Sequence, residues 1–210
     1  MIQVKESVLK ALLKNESSEK ILLNSFNIFL PNKKNLKEKG IIVGVCLFPS
    51  YFLICSHNIV SLFGNICDTM LNVFLSLFGI LFTGYVFFQA LLNDNLLIML
   101  IISEAEKDRK EKSKLEEVNN RFVSLMVLYI IAIIISLTLT VIVPCIPEDF
   151  ILLSNIQVSN VVAFILILMF YVFSAELLWR VLSFVRNIYL LFNAYAVSRL
   201  TDLVEIEEDD

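Results

Sequence analysis

The stretch Phe122-Val-Ser-Leu-Met-Val-Leu-Tyr-Ile-Ile-Ala-Ile-Ile-Ile-Ser-Leu-Thr-Leu-Thr-Val-Ile-Val143 decides the fold. It carries no charge over about 20 residues, which at 1.5 Å per residue matches the roughly 30 Å hydrocarbon core of a bilayer. The segment before it, Lys107 to Arg121, is dense in Lys and Arg. The segment after it, Pro144 to Asn160, has neither. Three other runs have similar length: Ile41–Val60, Leu71–Leu92 and Val161–Leu182. None alternates with a period of two, as an outer-membrane strand would. A helix satisfies its backbone groups internally, so all four runs read as transmembrane helices.

The basic residues orient them. All 17 Lys and Arg fall on one side of the four runs. Lys5 to Lys39 precede the first, Lys107 to Arg121 separate the second from the third, and Arg180, Arg186 and Arg199 close or follow the fourth. The remaining connections, roughly Ser61 to Met70 and Pro144 to Asn160, hold none. Basic groups resist translocation, so this bias predicts cytoplasmic termini. The acidic residues do not share it, and Asp68, Glu148 and Asp149 are expected on the outer side.

The expected fold is therefore an all-α polytopic membrane protein of the bacterial inner membrane. Residues 1–40 form cytoplasmic amphipathic helices, 41–92 the first two spans, 93–121 a cytoplasmic hairpin, 122–182 the last two spans, and 183–210 a helical extension with an acidic tail. The chain is 58% apolar, with mean hydropathy +0.78, against about 45–50% apolar in soluble domains. A charged, Lys-rich segment without a small-residue cleavage pattern precedes the first run, which is read as a span and not a signal peptide.

Local patterns refine this picture. Val4, Val8, Leu12 and Leu13 make one apolar stripe; Ile21, Leu22, Phe26 and Phe29 make a second, ended by Pro31. These helices either lie on the inner leaflet or pack on the protein's own cytoplasmic helices. Pro49 is expected to kink the first span. Small residues recur in register as Ser76, Gly79 and Thr83 in the second span and as Ala132, Ser136 and Thr140 in the third. Such stripes allow close helix packing, within one chain or between chains.

Apolar character also outruns the bilayer. Leu96 to Ile102 is apolar on every side, and no Pro or Gly interrupts the chain after Pro147, so one helix can continue well past Arg180. A helix apolar all round must be buried. Leu96, Ile98, Leu100, Ile102, Leu190, Phe192 and Tyr195 are therefore expected to pack in a cytoplasmic bundle and to form an oligomer or partner interface. Three or more copies and a cytoplasmic protein partner would cover that surface.

Little points to chemistry. His57 is the sole histidine and is expected near the outer face, where it serves no cytoplasmic acid–base or metal scheme. Phosphate-loop, dinucleotide and zinc-protease motifs are missing. No catalytic residue, cofactor or metal is assigned, and the chain is expected to be non-enzymatic and to bind no nucleic acid directly. Glu176 and Arg180 stand at i and i+4 near the end of the fourth run, beside Trp179. They form either a functional polar site at membrane depth or a neutralised interfacial pair. Asp94, with Gln89, Asn93 and Asn95, either lines an aqueous vestibule or caps the boundary. Cys67 and Cys145 (or Cys55 and Cys145) could bridge in an oxidising periplasm; otherwise the cysteines act as small apolar residues. The acidic tail Val204–Asp210 is either solvated or a strip for docking a basic partner.

The size, four-span layout, cytoplasmic termini and lack of catalytic motifs resemble the small membrane subunit of Kiwa-type bacterial anti-phage systems. That resemblance implies an oligomeric membrane sensor holding a soluble, DNA-binding protein at the inner membrane. Similar layouts occur among membrane proteins accompanying type VI CRISPR systems and among small pore-forming effectors. The leading expectation is a scaffold or sensor; the alternative is an oligomeric ion channel or pore that depolarises the membrane.

Overall fold

The computed structural model describes residues 18–26, 36–92, 114–147 and 156–208. Its elements are α1 (Ser18–Phe26), α2 (Leu36–Ile54), α3 (Ile59–Leu91), α4 (Lys114–Ile142), a 3-10 turn at Val143–Cys145, and α5 (Ile156–Glu208). No strand occurs among the described residues. Three stretches are long and apolar enough to cross a membrane: Ile59–Leu91, Val118–Cys145 and Gln157–Val197. The chain is a helical membrane protein. The stripe Val4 to Leu13 and the run Leu96 to Ile102 lie outside the described residues.

The first apolar run departs from expectation. Ile41–Val60 is not one helix: α2 ends at Ile54, and α3 begins at Ile59. The polar sequence Cys55-Ser56-His57-Asn58 makes the turn. There Ser56 N–H donates to the Leu53 carbonyl, and Leu62 N–H, opening the next helix, donates to that of Asn58. The connection expected at Ser61 to Met70 is instead helical, within α3. Its polar residues continue the helix by bonding to their own backbone. Thr69 Oγ1 donates to the Asn65 carbonyl at 2.9 Å, Asn72 Nδ2 to that of Asp68 at 3.1 Å, and Ser76 Oγ to that of Asn72 at 2.8 Å. Asp68 therefore belongs to a helix and not to an outer loop.

The apolar part of α2, from Ile41 to Ile54, extends about 21 Å. The helix runs through Pro49, and Ser50 Oγ donates back to the Cys46 carbonyl at 2.8 Å. Its covered positions, Ile42, Cys46, Ser50 and Leu53, lie on one face. Lys37, Glu38 and Lys39 stand in its first turn, and α2 is not among the three stretches long and apolar enough to cross a membrane.

Each long helix buries a narrow seam. On α3 it is Cys67, Phe74, Leu81 and Phe88, spaced by heptads. On α5 it includes Phe170, Ser174, Leu177, Phe184 and Leu191. Repeats near 3.5 residues keep a seam facing its partners in near-parallel bundles. The 53-residue α5 is about 80 Å long.

The packing divides the chain into two compact units. One comprises Met1–Ser25, Ile80–Val127 and Leu182–Asp210. Its core is aromatic: Phe122 stacks on Phe88 (centroids 5.4 Å apart), meets Phe184 edge-on at 5.1 Å, and touches Tyr85. Tyr85 Oη donates to Asn119 Oδ1 at 2.9 Å. At Gly84 a Cβ would stand 2.7 Å from Phe184 Cζ and 2.9 Å from Ile188 Cδ1, so those side-chain ends would have to shift to admit one. The other unit comprises Phe26–Gly79 and Leu128–Val181. In it Phe63 packs edge-on against Phe170, and Phe74 against Tyr129. Tyr129, wholly buried, donates from Oη to the Leu177 carbonyl at 3.1 Å.

Candidate functional site

Glu176 and Arg180, paired by their spacing, acquire a third member. Arg180 Nη2 lies 3.5 Å from Glu176 Oε2, and Lys39 Nζ of α2 lies 3.8 Å from Glu176 Oε1. The carboxylate is covered, with Glu176 only 5% exposed. Two cations thus share one buried acid, and α2 is tied to α5 at the level where α2 turns apolar. The carboxylate faces these two cations and is covered from solvent. Lys39 was not legible as a participant, since only folding brings it beside residues so distant in sequence. Asp94 lies outside the described residues.

The proposed interface residues divide. Leu190 and Phe192 are exposed, at 55% and 51%, whereas Tyr195 is half-buried. Leu96, Ile98, Leu100 and Ile102 lie outside the described residues. All four cysteines are free, which corrects the pairings considered for Cys145: Cys67 is buried in the α3 seam, and Cys145 is exposed, its Sγ donating to the Val141 carbonyl at 3.4 Å. His57 is exposed in the α2–α3 turn.

A second feature was hidden by the expected loop at Ser61 to Met70. With α3 helical from Ile59, Asn65, Asp68, Thr69, Asn72 and Ser76 all fall on one side of it, and all are exposed. At about 100° per residue this side lies opposite the Cys67–Phe74 seam. Its level along the bundle is fixed by side chains within one unit. Phe63 is beside Phe170, and Phe74 is beside Tyr129, which bonds to Leu177. Asp68, between Phe63 and Phe74, is thus level with α5 between Phe170 and Leu177. Among the described residues no basic side chain pairs with Asp68.

No family model, curated protein or solved structure matches the chain.

Proposed function

We propose that this chain is a non-enzymatic subunit of a homo-oligomeric scaffold or sensor in a bacterial inner membrane. It has four spans and cytoplasmic termini, and it recruits a cytoplasmic partner protein. The observation that carries this reading is the surface of α5 after Arg180, where Leu182, Val185, Tyr189, Leu190, Phe192 and Val197 are all exposed. From Val161 to Arg180 the helix covers about 29 Å, a full hydrocarbon thickness. Trp179, 44% exposed, suits the interface that ends it. Beyond that point exposed side chains meet water, and each Leu or Phe left wet forgoes roughly 1.5–3 kcal/mol of burial. Three or more copies about an axis normal to the membrane, with a soluble partner, would cover them. The layout resemblance to Kiwa membrane subunits supports a defence role for such an assembly.

In this reading α2 is the fourth, short span. Lys39 is level with Glu176, and the helix reaches Ile54 before the turn. Reporter fusions after Asn119 and at Asp210 should read cytoplasmic, and fusions at His57 and after Glu148 external. An external reading at Asp210 breaks the topology. Leu190→Asp or Phe192→Asp should release subunits or partner, measured by mass in mild detergent, while membrane insertion is kept. A monomeric wild type whose α5 extension is readily cleaved by protease would end the scaffold reading. The rival conducting oligomer finds little support in Glu176, which is covered and paired.

A further inference from the structure

We propose that α5 beyond Arg180 is the docking strip for an acidic amphipathic helix of the cytoplasmic partner, with Arg186 and Arg199 as the cations that select it. This rests on the cytoplasmic placement of that stretch read above and adds the chemistry of the partner.

The inward side of the stretch is fixed within one unit. Phe184 meets Phe122 edge-on, Phe184 and Ile188 both reach the Gly84 position, and Leu191 is buried one heptad after Phe184. At about 100° per residue the opposite side carries Leu182, Val185, Tyr189, Phe192, Ala196 and Leu200. All but Ala196 are more than half exposed, and Ala196 is half-buried. Their steps of three and four residues keep them in one strip, about 27 Å long.

The charges along the strip are of one sign. From Leu177 to Thr201 the sequence holds Arg180, Arg186 and Arg199 and no Asp or Glu. Arg186 and Arg199 are exposed, and by the same rotation they flank the strip on opposite edges. Neither takes part in an ion pair among the described residues.

These cations decide between the available neighbours. Lipid fits poorly: a bilayer core takes about 20 residues of helix, which Val161 to Arg180 already supply. An exposed arginine on each edge would also be costly in hydrocarbon. Water leaves the large apolar side chains of the strip wet. A second copy, parallel by the shared topology, brings the same arginines and no acid from this stretch to meet them. A partner helix with Asp or Glu beside its own apolar strip satisfies both features. Its apolar positions, at the same three-and-four spacing, interlock with those of α5. Its edge carboxylates pair with Arg186 and Arg199, which stand about 20 Å apart along the axis. Counter-charges so far apart, and on opposite edges, set the partner's direction as well as its register.

The test uses the full-length protein in nanodiscs of phosphatidylcholine, whose headgroup has no net charge, with the mass of the assembly measured in parallel. Two synthetic helical peptides serve as probes. Both carry Leu at the a and d positions of a heptad repeat; one has Glu at the flanking e and g positions, the other Lys. At low salt the Glu peptide should bind roughly ten-fold more tightly than the Lys peptide, and the gap should narrow as salt rises. Arg186→Glu combined with Arg199→Glu, on two exposed positions, should invert that preference with the thermal midpoint unchanged. Phe192→Asp should weaken binding of both peptides. Equal binding of the two peptides, or a preference that the double exchange leaves unaltered, would overturn the proposal. So would failure of both to bind; if Phe192→Asp then lowers the mass of the assembly, the strip belongs to a second copy and the scaffold reading stands. A monomer that binds the Glu peptide with the stated preference would end the homo-oligomeric reading and keep the partner strip.

Discussion

Two small-residue stripes that look alike in the sequence have opposite fates. On α4, Ala132 and Ser136 are wholly buried and Thr140 is half-buried, its Oγ1 donating to the Ser136 carbonyl at 2.9 Å. Ser136 works there by size, since its covered hydroxyl has no hydrogen-bond partner among the described residues. On α3, Ser76, Gly79 and Thr83 are all exposed. The first stripe is consumed inside the chain; the second stays on its surface. Small size permits close packing, but the rest of the helix decides which way the stripe turns. The bulky residues of α3, Phe74, Leu81 and Phe88, claim the inward seam at heptad spacing. What lies opposite them must face out, and on α3 that side also gathers the polar residues.

The contrast gives graded predictions. The largest effect should come from the covered carboxylate, which belongs wholly to the inward side. Glu176→Gln leaves Lys39 and Arg180 without their shared counter-charge, and removing one partner of a buried ion pair costs about 3 kcal/mol or more. A clear drop in thermal midpoint in detergent is expected. An unchanged midpoint would mean that the three charges are already solvated. An intermediate effect should separate the two stripes directly. Ala132→Leu overpacks a wholly buried site and should cost about 1–3 kcal/mol, whereas Ser76→Leu, on an exposed position, should leave the midpoint nearly unchanged. Equal destabilisation by both would collapse the distinction. The smallest effect is Tyr129→Phe, which removes one bond to the Leu177 carbonyl. Interhelical hydrogen bonds in membranes average about 0.6 kcal/mol, so a shift near the limit of measurement is expected, with no change in mass.

Much of the architecture was written in the residues. Runs of about 20 apolar residues with no two-residue alternation can span only as helices, and α5 continues far beyond Arg180 because neither Pro nor Gly stops it. The end of the first helix was harder to read. Hydropathy alone joins Ile41 to Val60, while the local hydrogen bonding of Ser56 and Asn58 breaks that run and moves the connection before α3. The candidate site was legible only in part: Glu176 and Arg180 are one helical turn apart and could be paired by spacing, while Lys39 could not.

The sequence by itself determined that this is a helical membrane protein with more apolar surface than one chain buries, because chain length per turn and the cost of an unsatisfied backbone in lipid leave no other form. Only the tertiary structure decided which apolar and polar residues remain outside. A helix apolar on all sides carries no mark of its inward face; that face is chosen by the side chains that interlock with neighbouring helices, Phe74 against Tyr129 and Phe122 against Phe88 and Phe184. Once those side chains interlock, rotation about each helix axis is fixed, and Asp68 is turned outward.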